Sequence, residues 1–135
     1  MVAIALAIAP MTLAAGEASS VEKIEPAAAA QQIKAGKAIA IDVRERSEIE
    51  GGMAEGARWY PTSSITSDPD AYLTFIASLP SDQTLVFYCA SGVRSGKAAE
   101  LARNAGRTAA NLGGFKDWKA AGLPVTVPAK TLQPG

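Results

Sequence analysis

Two stretches of the chain, 38–43 (Ala-Ile-Ala-Ile-Asp-Val) and 84–88 (Thr-Leu-Val-Phe-Tyr), are nearly unbroken apolar runs with no alternation. Runs of that length predict parallel strands covered on both faces. Polar positions and turn residues divide the remainder. Pro26 suits the first turn of a helix over 27–33 that stops near Gly36, and Asp68-Pro69 supplies a capping residue and a first-turn proline. That second helix carries Tyr72, Leu73, Phe75 and Ile76 to Leu79-Pro80; a third is expected over 95–104, ended by Gly106, and a short fourth over 115–121 after Gly113-Gly114. Shorter strands are expected at 21–25 (an edge strand), 57–60 (ended by Pro61) and 108–112. Residues 44–56, with Gly51, Gly52 and Gly56, read as a loop with one helical turn. Strands alternating with helices predict an α/β layer fold with a mainly parallel sheet.

The first segment does not fit that alternation. Residues 1–15 are apolar and uncharged, and the chain turns polar at Gly16-Glu17. This matches the apolar region of a signal peptide followed by small residues and falls short of the ~20 residues a membrane span needs, so no stable span is expected. The basic residues that usually precede such a run are missing. Two readings stand: a signal segment at 1–20, which places the protein in the periplasm or otherwise outside the cytoplasm, or an Ala-rich core segment of a cytoplasmic protein. The domain is expected at 21–127, with 128–135 as a C-terminal tail.

The 135 residues suffice for one domain, and 48% hydrophobic with 19% charged content is ordinary for a globular chain. Thirteen basic residues balance thirteen acidic ones, which argues against a nucleic-acid protein. Over 84–120, however, six cations (Arg94, Lys97, Arg103, Arg107, Lys116, Lys119) meet two anions (Glu100, Asp117), a bias that favours a small anion near this stretch. There is no histidine and one cysteine, Cys89. These absences exclude Cys-His and Ser-His dyads, histidine bases, zinc sites with His ligands, four-cysteine zinc sites and intramolecular disulfides.

Cys89 closes the 84–88 run and is followed by Ala90, Ser91, Gly92, Val93, Arg94 and Ser95. Such a cysteine taken alone is most often a small core residue. Its setting argues otherwise. Ligands of open parallel sheets bind beyond the strands' carboxyl ends. Gly92 lets successive N–H groups turn inward as an anion nest, the next helix adds a positive N-terminus, and Arg94 adds a full charge. These influences lower a thiol pKa from ~8.5 without histidine. Ser91 and Ser95 are candidate donors to a bound sulfur, Ser95 equally a helix cap.

The run Cys89-Ala-Ser-Gly-Val-Arg-Ser95 resembles the active-site loop of the rhodanese family of sulfurtransferases. Ile41-Asp42-Val43-Arg44-Glu45 with Glu48, Gly52, Gly56 and Ala57 is similar to that family's signature near the start of its domain, and Gly113-Gly114-Phe115 with Trp118 and Gly122-Leu123-Pro124-Val125 to its closing signature. The resemblance covers roughly 21–127, with the three blocks in the family's order and spacing. The resemblance implies a rhodanese-like three-layer fold, a five-stranded, mainly parallel sheet flanked by helices, and no metal or cofactor. It also implies two-step transfer of sulfane sulfur through a Cys89 persulfide. The donor would be a small anion such as thiosulfate, a polysulfide or a persulfide, drawn in by Arg94. The acceptor would be a thiol, sulfite or cyanide.

Two departures matter. Met53 stands where the family usually carries histidine and is read as packing; Ala90 stands where thiosulfate-preferring members often carry a cation, which leaves the donor open. Four residues separate Cys89 from Arg94, one fewer than in the related phosphatases and arsenate reductases, so the cradle suits one sulfur atom better than a phosphate. A non-catalytic sulfur carrier or partner-binding module is the competing class. Asp42 is expected to support the active loop or to cap a turn, and Arg44 to pair with Glu48 in solvent or to brace the loop. Trp59, Tyr60 and Trp118 are pocket-wall or core aromatics.

Overall fold

The structure, a computed structural model, describes residues 21–135. The apolar segment 1–15, and with it the export reading, lies outside the described residues. Four parallel strands form the central sheet: β1 (Ala38–Asp42), β3 (Arg58–Trp59), β4 (Thr84–Cys89) and β5 (Ala109–Gly114), in the order β3-β1-β4-β5. The expected fifth strand at 21–25 is reduced to one parallel bridge between Lys23 and Asn111. Pro26 opens a helix directly after it, leaving too little chain for more pairing.

β4 shows why its sequence does not alternate. Leu85, Phe87 and Cys89 join Ile41, Val43, Tyr72 and Ile76 on one face, while Val86 and Tyr88 join Ala40, Phe115 and Trp118 on the other. Helices α3 (Thr62–Ser67), α4 (Pro69–Ser78) and α5 (Val93–Asn104) cover the first face, and α1 (Pro26–Lys34) with α6 (Phe115–Ala120) the second. Apolar residues are needed on both sides, and the three-layer expectation holds. Asp68 caps α4 by accepting from the Ala71 N–H at 3.1 Å.

The 44–56 segment is more ordered than expected. It contains α2 (Arg46–Ile49) and β2 (Met53–Ala54), the latter paired antiparallel with β6 (Val125–Thr126). Met53 is buried with Ile49 and Trp59, a packing position. Residues 128–135 are also held: Arg46 donates to the carbonyls of Lys130 (3.2 Å) and Leu132 (2.8 Å), and the Gly135 N–H donates to that of Trp59 (3.0 Å). Among the described residues no helix is long and apolar enough to cross a membrane.

Candidate active site

β4 delivers Cys89 to the carboxyl edge of the sheet, where the side chain is fully buried beneath its own loop. Gly92, at φ 101°, takes a left-handed conformation that a side chain would strain. This turn folds the loop over the sulfur and starts α5 at Val93, two residues earlier than the sequence predicts. Ser95 is therefore inside the first helical turn instead of capping it, and its hydroxyl faces the sulfur.

The donors converge as the sequence requires. The Gly92 N–H lies 3.0 Å from Cys89 Sγ and the Ser95 hydroxyl 3.3 Å. Burial pushes the thiol up, but hydrogen bonds from the Ser95 hydroxyl and from the N–H groups of Ser95, Gly92 and Ser91 outweigh it and hold the thiol below its ordinary value. The side chain of Val93 is turned to solvent, 67% exposed, and Ala90 and Ser91 are exposed on the loop's outer side. Ser91 to Val93 face an open cleft of about 710 Å³, walled opposite by Lys23, Glu25, Asn111 and Asp117. An apolar groove of about 690 Å³ between α1 and Trp118 has no residue in common with the loop.

Asn111 is a site residue that sequence reasoning missed. A one-residue bulge in β5 pairs Phe87 with Asn111 but Tyr88 with Gly113, a local break in register of the kind that re-aims side chains. The Asn111 amide donates to the Gly92 carbonyl at 2.9 Å, and its oxygen accepts from the Ser95 hydroxyl (2.8 Å) and the Gly113 N–H (3.0 Å). It thus ties both sulfur donors to β5. The signal available was a polar residue inside an otherwise apolar strand.

The charged residues pair differently from expectation. Arg44 does not share a solvated ion pair with Glu48. Its guanidinium is buried, 2.8 Å from Asp42 Oδ2, donates to the carbonyls of Glu48 (3.3 Å) and Gly52 (2.7 Å), and lies 4.1 Å over the Phe115 ring. Burial alone would lower its pKa, but the Asp42 hydrogen bonds and charge raise it. Asp42 also accepts the Arg44 N–H at 2.9 Å, so it holds the turn after β1, and Arg44 braces the 44–52 segment. The Glu48 carboxylate instead takes two bonds from Arg94, at 2.7 and 2.8 Å, because α2 leans its first turn against the cysteine loop. Those bonds hold the Glu48 carboxyl down at about 2 and push the Arg94 guanidinium up.

Of the cations over 84–120, Arg94 stands in the loop and Arg107 does not. Arg107 donates to the carbonyls of Ile76, Leu79 and Pro80 beyond the other end of the sheet, and Lys119 lies over Phe115. Trp59 and Trp118 are core residues, their indole N–H groups given to the carbonyls of Arg44 and Pro124, both at 2.8 Å. Tyr60 stacks on Phe75 in the face covered by α4.

A thiol at a strand's carboxyl end, ringed by N–H groups and a hydroxyl, defines the class. The chain belongs to the rhodanese-like domain family, whose family model matches residues 25–121. It is 35% identical over 95 residues to the Homo sapiens thiosulfate:glutathione sulfurtransferase, covering 64% of this chain and 83% of that protein. The crystal structure of a rhodanese-related protein from Thermoplasma volcanium superposes with a TM-score of 0.65 at 26% identity, covering 79% of this chain and 99% of that one. A protein of unknown function from Rhodopseudomonas palustris, described as a possible tyrosine phosphatase, matches with a TM-score of 0.63 at 32% identity, covering 82% of this chain and 89% of that one. At the level of the family, the family match and the sulfurtransferase relative support a sulfur-transfer role.

Proposed function

We propose that the protein is a sulfurtransferase that carries sulfane sulfur as a Cys89 persulfide. The observation that carries this reading is the convergence of the Gly92 N–H and the Ser95 hydroxyl on Cys89 Sγ at 3.0 and 3.3 Å. With thiosulfate as donor, the Cys89 thiolate attacks the outer sulfur, the S–S bond of the donor breaks, and sulfite leaves with the electron pair. With a persulfide donor, attack on the terminal sulfur expels the donor thiolate. Either step leaves an enzyme persulfide anion, which the loop N–H groups stabilise better than bulk water does because they are fixed in place beforehand. Cyanide, sulfite or a thiolate then attacks the outer sulfur and releases Cys89 as thiolate.

A phosphatase reading fits less well. The loop between Cys89 and Arg94 has four residues, and the Arg94 guanidinium is committed to Glu48 instead of pointing into the loop's centre.

The test is intact mass after incubation with thiosulfate or polysulfide, followed by addition of cyanide and assay of thiocyanate. The expected result is one sulfur atom on wild type, removed by cyanide over many turnovers, and none on Cys89→Ser. No added sulfur on wild type, the same addition on Cys89→Ser, or Cys89-dependent hydrolysis of an aryl phosphate overturns the proposal. Loading without turnover by cyanide, sulfite or a thiol overturns its catalytic half and leaves a sulfur carrier.

A further inference from the structure

We infer that Glu48 sets which sulfur donors the site accepts: by holding Arg94 in a two-bond ion pair it turns the loop away from dianionic donors and toward sulfur species of little net charge. The inference rests on the sulfurtransferase reading above. Both side chains are about one-third exposed (31% and 32%), so the pair stands at the solvent side of the loop and not in the core. Arg94 lies in the loop between Gly92 and Ser95, whose N–H and hydroxyl reach Cys89 Sγ at 3.0 and 3.3 Å, which makes it the cation an incoming anion would meet. That charge is already matched. Glu48 takes both guanidinium bonds, and its own position is fixed from behind by the Glu45 N–H at 2.8 Å.

A second carboxylate stands close by. Glu45 is joined to Glu48, the partner of Arg94, by the reciprocal bonds of the α2 capping box, and its carboxylate is held by the N–H and hydroxyl of Ser63, at 2.9 and 2.7 Å. The one guanidinium of α2, Arg46, is turned away, 4.8 Å over the Trp59 ring and bonded to the carbonyls of Lys130 and Leu132. Glu45, Glu48 and Arg94 together therefore carry one net negative charge at this side of the loop. A thiosulfate dianion approaching there meets repulsion that a donor of zero net charge does not. The latter is held by the loop N–H groups, which need only the sulfur anion.

Glu48→Gln removes the charge but keeps an oxygen for the Glu45 N–H. The measurement is kcat/KM for thiosulfate and for cysteamine persulfide, whose ammonium group offsets its sulfur anion, at low and high ionic strength. Glu48→Gln is expected to raise the thiosulfate-to-cysteamine-persulfide ratio roughly three- to tenfold at low salt, and less at high salt, as expected for partly exposed charges. Glu48→Asp, which keeps the charge, should stay near the wild-type ratio, and adding Arg94→Gln to Glu48→Gln should abolish the gain.

An unchanged ratio in a Glu48→Gln protein that still loads sulfur sinks the inference alone, as does a gain that survives Arg94→Gln. A wild-type protein that takes sulfur from neither donor sinks the sulfurtransferase reading, and this assignment with it.

Discussion

The Ser95 hydroxyl has one proton and two acceptors within reach, Cys89 Sγ at 3.3 Å and Asn111 Oδ1 at 2.8 Å. The Asn111 amide cannot rotate to help, since its nitrogen is bound to the Gly92 carbonyl at 2.9 Å. With one proton, Ser95 donates to Asn111 while the sulfur is a thiol and to Sγ when the thiolate forms. The Gly113 N–H keeps the asparagine oxygen satisfied in the second state. The consequence is a pH effect of defined sign. A thiol held below its ordinary value ionises as pH rises through its folded pKa, so the rate of alkylation by iodoacetamide should climb and level off with an inflection below that of an unstructured cysteine peptide measured alongside. Ser95→Ala removes one hydrogen bond to the charged form, worth ~1–2 kcal/mol, and should move the inflection up by about one pH unit. An inflection that does not move would show that the backbone amides alone set the ionisation. The sequence reading reached Cys89, Gly92 and Ser95 because they are neighbours in the chain; Asn111 sits 16 residues beyond Ser95 and meets it only through the bulge in β5.

Between elements, the tightest constraint on the cysteine loop is the passage of β5 beneath it. A Cβ added at Gly114 would lie 2.4 Å from the Ala90 carbonyl oxygen and 3.3 Å from its carbon. Both are backbone atoms of the loop, so no side-chain rotation relieves the clash. Gly114→Ala should cost ~1–3 kcal/mol of stability, as overpacking typically does. It should also slow both alkylation and sulfur loading by moving the N–H groups away from Sγ. A melting temperature and alkylation rate like those of wild type would mean that the loop yields easily. This contact also marks where sequence reasoning stopped. The long elements announced themselves: β1 and β4 as unbroken apolar runs, α4 through Asp68-Pro69, and the close of α5 through Gly106. The four-residue α2 and the two-residue strands β2 and β6 are too short to show a period, and what holds them is tertiary. Gly113-Gly114 was visible as a turn, but its closeness to Ala90 depends on the sheet register. Arg44 and Glu48 stand four apart and looked like partners. The buried Asp42 and the neighbouring Arg94 compete for them, and nothing local in the chain reveals that competition.

Across the whole molecule, the same dependence on distant partners links the last residues to the active site. Composition alone marks 128–135 as a tail, yet Leu132 packs against the small cluster of Ile49, Met53 and Trp59, and Arg46 of α2 reaches the carbonyls of Lys130 and Leu132. Trp59 in turn holds the Arg44 carbonyl, and Arg44 braces Glu48 and Gly52 through theirs. A chain of contacts thus runs from the C-terminal residues through Trp59 and Arg44 to the helix that presents Glu48 to Arg94. Removing 128–135 should uncover the Trp59 ring, cost ~1–2 kcal/mol through lost apolar burial and hydrogen bonds, and lower the melting temperature by ~3–8 °C. Tryptophan emission reports the first effect directly. In a Trp118→Phe background Trp59 is the one remaining tryptophan, and its emission should shift to the red in the truncated protein relative to the full chain. If α2 loosens as the contacts require, the thiosulfate-to-cysteamine-persulfide ratio should move in the direction of Glu48→Gln, by a smaller factor. Unchanged emission and melting would show the terminal contacts to be incidental. A red shift with no change in donor ratio would show instead that α2 keeps its hold on Arg94 without them.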